Sequence, residues 1–200
     1  MKRVSLLFSV LLLLSIAALG QALTPADREK AAKYLEQTSD AVVAATKGLS
    51  EAQMKFKPAP DRWSVAETLE HIALAEDFLL QNVTDKIMKA PSGAADRDTK
   101  KIDGMVLAMI PDRSRKAQAP PPLVPTGRWT PAESLDHFQK GRAKTIAFLE
   151  STPDLREHVA ESPLGQPLDA YEWLLFVAAH SERHTKQILE VKADPNFPKT

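Results

Sequence analysis

The sequence predicts an all-α protein: a four-helix bundle with one long crossover between its second and third helices, preceded by a signal peptide. Three observations carry that prediction. Four segments repeat apolar residues at helical spacing, each opened by a capping signal, and no segment keeps the strict alternation of a strand. A proline-rich stretch, residues 91–128, separates the second segment from the third. Ahead of all four stands an apolar run with no polar face.

That run opens the chain as MKRVSLLFSVLLLLSIAALG. Lys2 and Arg3 form a basic start, Val4 to Leu19 is nearly unbroken apolar sequence, and small residues follow at Ala18 and Gly20. This is the pattern of a secretory signal peptide, expected over residues 1–20 and removed on export to the periplasm or cell exterior. No cysteine stands near the cleavage point, which excludes a lipoprotein anchor. The run is short against the ~20 residues of a membrane span, so no stable membrane insertion is expected after cleavage.

The rest, residues 21–200, is long enough for one domain with a sizeable core. Losing Lys2 and Arg3 takes the basic count from 26 to 24 against 26 acids, a formal balance of −2. A nucleic-acid partner would call for a basic excess, and none is present. The chain has no cysteine, so it has no disulfide, no thiolate ligand and no cysteine nucleophile. Any bound metal must rest on imidazole, carboxylate or water.

The first helix opens at Thr24-Pro25, a cap followed by proline at the first helical position, and carries Ala31, Leu35, Thr38, Val42 and Ala45 on one face until Gly48. The stretch LSEAQMKFKPAPDRW reads as a loop. The second helix opens at Ser64 with Glu67 three residues on, a capping box with Trp63 ahead of it as a staple, and runs toward Pro91. Within 91–128 a short helix is expected at Ile102–Ile110. The three prolines at 120–122 favour an extended segment, and the basic residues Lys100, Lys101, Arg113, Arg115 and Lys116 read as a solvated loop. The third helix opens at Thr130-Pro131 with Glu133, its inner stripe being Leu135, Phe138, Arg142, Ile146 and Leu149. The fourth opens at Asp169 with Glu172 and places Trp173, Val177, His180, His184 and Ile188 on one stripe before Pro195.

His180 and His184 are the candidate functional pair. Residues four apart on a helix lie roughly 40° from each other, so both imidazoles face inward along the apolar stripe. Two stacked rings must each lose water and find partners. A divalent cation satisfies both at once, and satisfied core histidines are the alternative; residue pattern alone leaves both open. The spacing resembles the metalloprotease H-E-x-x-H, but here it reads H-S-E-R-H. Glu182 then projects about 200° from His180, which excludes a protease base beside the metal. A third ligand falls to His71 on the inner edge of the second helix, since His158 sits in a connecting segment and His137 turns to a flank. Glu67, Glu70 and Glu76 share that helix and read first as exposed, solvating glutamates, with a base or an orienting partner for a ligand as the alternative.

The segments RWSVAETLEHIALAEDFLL and HSERHTKQI, with PPPLVPTGRWTPAESLDHFQKGR and SPLGQPLDAYEWL between them, resemble the DinB-like family from about Thr24 to Pro198. The specific part is a histidine after Trp-Ser-x-x-Glu combined with H-x-x-x-H-x-x-Q-I on the last helix. The resemblance implies a four-helix bundle holding a divalent metal through His71, His180 and His184, and suggests a homodimer. Some members look like thiol S-transferases or related isomerases. Two departures qualify that activity here. The His-Pro-x-Gly turn common in such members reads Ser162-Pro163-Leu164-Gly165. An exported protein would also lack the reduced thiol pool of the cytoplasm.

Three neutral imidazoles would leave a divalent ion with open positions, the pattern of a catalytic site. The expected metal is a divalent transition ion, zinc or nickel first, with iron or manganese as further candidates. The expected function is a metal-dependent hydrolase or transferase acting on an unidentified small-molecule substrate. The competing expectation is a non-enzymatic metal- or ligand-binding bundle.

Overall fold

The first turn of a helix leaves N–H groups with no carbonyl to bond, and in this chain each long helix begins where a side-chain oxygen meets them. The computed structural model describes residues 23–199, and the expected signal peptide lies outside them. Helix α1 (Pro25–Thr46) is capped by Thr24, α3 (Val65–Asp85) by Ser64, α5 (Pro131–Ser151) by Thr130 and α6 (Ala170–Lys192) by Asp169. In all four the residue three positions on returns a carboxylate to the cap's own N–H, closing a capping box. Such a cap typically stabilises a helix by about 1 kcal/mol.

Several connections differ from their sequence expectation. The stretch expected as a loop after Gly48 contains a short helix, α2 (Glu51–Lys55), with its own box between Ser50 and Gln53. The crossover helix, α4 (Thr99–Met109), starts three residues earlier than expected because Asp98 accepts from the Lys101 N–H. Pro121–Leu123 forms a 3-10 turn rather than an extended run. No strand was expected, yet β1 (Val159–Ala160) and β2 (Leu168–Asp169) pair antiparallel as a two-residue ladder across the SPLGQP turn. The start of the crossover joins that ladder through a bridge between Ser92 and His158. His158, in this connecting segment, has its Nδ1 2.6 Å from the Ala90 carbonyl.

Around the bundle α1 packs on α6, α6 on α3, α3 on α5, and α5 back on α1. The chain order is thus not a simple up-and-down circuit, and it brings the second and last long helices side by side. Helix α4 lies over α6 on its remaining side. Covered from three directions, α6 is buried at every residue from Ala170 to Ala179. Leu174, Ala178 and Ala179 have no exposed surface, nor do Leu35, Val83 and Leu149 of the other helices. Burying one leucine of this kind is worth roughly 1.5–3 kcal/mol.

The inner stripes also carry charge. Arg142 of α5 forms a two-point ion pair with Glu76 of α3, at 2.9 and 2.7 Å, with both side chains about 2 % exposed. Gly141 permits it: a Cβ there would stand 3.0 Å from Glu76 Cγ and from Asp77 Oδ1. Glu76 is thus buried, against expectation, and so is Glu70, which accepts the N–H groups of Thr126 and Gly127 at 2.9 Å each. Gly127, at φ +73°, supplies the left-handed turn that aims both at one carboxylate.

The crossover is held along its whole length. Arg97 pairs with Asp169 and Glu172, Arg156 with Asp103, and Arg113 with Glu190. Arg183 donates to the carbonyls of Ile110, Asp112 and Arg115, which end α4 and begin the following turn. Among the described residues no helix is long and apolar enough to cross a membrane.

Candidate metal centre

His71 comes one and a half turns into α3, and its ring crosses to α6 because those two helices are in contact. There it meets His180 and His184. The Nε2 atom of His71 stands 3.2 Å from that of His180 and 3.1 Å from that of His184. The three histidines read from the sequence are therefore brought together at one point, and all point the same nitrogen inward. His71 and His184 are buried, at 3 % and 8 % exposure, while His180 is the least covered.

Hydrogen bonds behind the rings decide which nitrogens are bare. His71 Nδ1 lies 2.8 Å from the backbone carbonyl of Leu123, which can only accept, so that nitrogen carries the hydrogen. His184 Nδ1 lies 2.9 Å from Gln187 Oε1 and donates in the same way. In the neutral rings both Nε2 atoms then present lone pairs to each other across 3.1 Å. His180 can give one hydrogen to one of them, and the other pair stays unsatisfied. A cation among the three nitrogens resolves the conflict.

The spacing fits one. Two imidazole nitrogens each about 2.1 Å from a zinc-like ion, at angles between 90° and the tetrahedral value, lie about 3.0–3.4 Å apart. Electrostatics agree. Burial lowers the pKa of His71, opposed by its bond to Leu123. Burial first, then the neighbouring imidazoles, hold His180 and His184 well below the usual histidine range. The rings are neutral at neutral pH, the form that ligates.

Aromatic rings flank the centre. Trp63, expected as a helix staple, sets its ring 4.8 Å from His71 and 6.5 Å from His184. Phe176, one turn before His180, lies parallel to it at 6.4 Å. Among the described residues no carboxylate is poised beside the nitrogens. Glu70 and Glu76 are committed to the partners described above, and Glu67 caps α3 and pairs with Lys57. Glu182 faces α1, where it accepts from the Tyr34 hydroxyl at 2.5 Å, as its position on the helix requires. His137 stacks on Trp129 at 4.0 Å on an exposed flank. A second group, Asp154, Glu157 and His158, lies near the hairpin, but its carboxylates sit in or close to solvent.

Sequence reasoning gave no role at the centre to three contributors: Leu123, whose carbonyl fixes His71, and Gln187 and Trp63, although the last two stand in the quoted motifs. Gln187 was legible in principle, three residues after His184 on the same side of the helix. The other two contacts depend on where distant segments return.

The DinB superfamily model matches residues 34–188, which is most of the chain, and the protein belongs to that superfamily. It is similar to the uncharacterized protein YuaE of Bacillus subtilis, 27 % identical over 150 residues that span 73 % of this chain and 87 % of that one. Its fold is similar to that of YfiT from Bacillus subtilis, described as "a probable metal-dependent hydrolase with an unusual four-helix bundle topology". That likeness has a TM-score of 0.56 at 15 % identity and covers 89 % of this chain and 93 % of YfiT.

Proposed function

From the premise that this is a DinB-superfamily chain, we propose that it is a metal-dependent hydrolase acting on a small molecule. His71, His180 and His184 would hold one divalent transition ion, zinc or nickel before iron or manganese. The observation that carries this is the pair of bare Nε2 lone pairs of His71 and His184, held 3.1 Å apart by bonds on their far sides. An ion on three neutral ligands supplies a Lewis acid that polarises a substrate carbonyl or phosphoryl oxygen and eases proton loss from water.

The chain's own residues do the rest. Leu123 and Gln187 keep the rings oriented, and the Trp63 and Phe176 rings stand beside the His71 and His180 imidazoles. With the nearby glutamates engaged elsewhere, proton removal falls to solvent or to the substrate itself. The basic and apolar composition of residues 1–20 supports action outside the inner membrane, where a cytoplasmic thiol would not serve as cosubstrate.

The test is elemental analysis of the protein purified without a histidine tag, beside a His180→Ala, His184→Ala double variant. The expected result is about one transition metal per chain in the wild type and none in the variant, with ester or amide hydrolysis following the metal. A wild type that takes up no zinc or nickel overturns the proposal. Metal without hydrolysis of any small ester, amide or phosphoester leaves a metal-binding bundle instead.

A further inference from the structure

We propose that Gln187 and Arg113 are positioning residues of this centre, which hold the His184 ring with its Nε2 bare and aimed at the metal position. The proposal rests on the metal-binding reading above and asks what selects the ligating tautomer. Gln187 Oε1 lies 2.9 Å from His184 Nδ1 and also 3.2 Å from Arg113 Nη1. A guanidinium donates and never accepts, so the Gln187 atom facing Arg113 is the oxygen and not the amide nitrogen. The same oxygen then forces the hydrogen of His184 onto Nδ1.

Without the arginine, the amide could turn over and present its NH₂ to Nδ1. The hydrogen would then move to Nε2, the nitrogen that must stay bare to ligate. Arg113 is itself fixed, because its Nε and Nη2 donate to the two oxygens of Glu190 at 2.6 and 2.7 Å. The line therefore runs Glu190, Arg113, Gln187, His184. Arg113 belongs to the crossover, as does the Leu123 carbonyl that sets His71. One connecting segment thus selects the tautomer of two of the three imidazoles.

The test is titration of the metal-free protein with cobalt(II), followed by its visible absorption, for wild type, Gln187→Ala, Gln187→Glu and Arg113→Ala. Gln187→Ala is expected to weaken cobalt binding about 10- to 100-fold, the usual effect of losing an outer partner of a ligating histidine. Gln187→Glu should restore binding to within a few-fold, since a carboxylate can only accept and still pairs with Arg113. Arg113→Ala should fall between them. Melting of the metal-free variants by circular dichroism separates a lost fold from a lost site, and if Gln187→Ala does not fold, Arg113→Ala carries the comparison. Wild-type affinity in Gln187→Ala, or no recovery in Gln187→Glu, overturns the proposal. A wild type that binds no cobalt overturns the metal reading first.

Discussion

Ser181 and His180 are neighbours on α6, and each belongs to a different buried polar cluster that joins α6 to α3. In the first cluster everything is matched. All five N–H groups of Arg142 find acceptors: the two Glu76 oxygens, Leu35 O, Thr38 Oγ1 and Ser181 Oγ. Glu76 Oε1 takes a further bond from Thr145 at 2.7 Å. In the second cluster the His71 and His184 rings are satisfied from behind, while the inward nitrogens of all three histidines confront one another. A closed network of donors and acceptors specifies how helices pack and has nothing left to offer a ligand. A set of lone pairs converging on one point is incomplete by itself, and that incompleteness is what a metal can use.

The largest effect should come from breaking the closed cluster. Glu76→Ala leaves the Arg142 charge buried without its partner and is expected to cost about 3–5 kcal/mol in urea unfolding at neutral pH. A double variant, Glu76→Leu with Arg142→Met, should recover much of that loss, because the cost lies in the orphaned charge. If Glu76→Ala cost under about 1 kcal/mol, the network would be solvated in solution and the contrast with the imidazoles would collapse.

Next in size is the gain from filling the open cluster. Zinc at a hundred times its dissociation constant should stabilise the wild type by about 2.7 kcal/mol, through binding to the native state alone. The His180→Ala, His184→Ala variant should gain nothing, and its metal-free stability should lie near that of the wild type. A metal-free variant as damaged as Glu76→Ala would make the imidazoles a second structural network.

The same contrast explains what could be read from the sequence. Caps depend on residues three apart, and Thr24, Ser64, Thr130 and Asp169 all lie where local chemistry puts them. The inward pair His180 and His184 follows from helical spacing. The box Ser50–Gln53 was equally local, but surrounding charge and proline masked it. Glu76 falls on the stripe of Leu69, Ile72, Leu79 and Val83, facing a stripe that carries Arg142, so its burial had a signal. Glu70 had none, because the backbone it bonds returns from 56 and 57 residues away. Leu123 and Arg113 were hidden for the same reason: a carbonyl or guanidinium in a proline-rich crossover becomes part of a site only once the topology seats it.

The smallest and most diagnostic effect is the pH dependence of the metal-free protein. Burial lowers the pKa of all three imidazoles in the native state, against about 6.5 when unfolded. The unfolded chain therefore binds more protons below about 6.5, and the imidazole contribution to stability is complete above that pH and lost as pH falls through it. Glu172 acts in the opposite direction. Burial and the adjacent Asp169 raise it to about 7, so its contribution is present below the unfolded carboxylate range and disappears as pH rises through 7. The two slopes overlap between about 4.5 and 6.5 and partly cancel in the wild type alone. The His180→Ala, His184→Ala variant keeps Glu172 and loses two of the rings, so the difference between the two profiles isolates the imidazoles. On acidification below 6.5 the wild type should lose stability faster, by at most about 1.4 kcal/mol per pH unit for each ring removed. Zinc should steepen the acid limb further, since protonated rings cannot ligate. Identical profiles would mean that these rings stay hydrated and protonate freely in the folded protein. The open cluster would then be an exposed surface feature, and the opposition between it and the Arg142 network would have no physical basis.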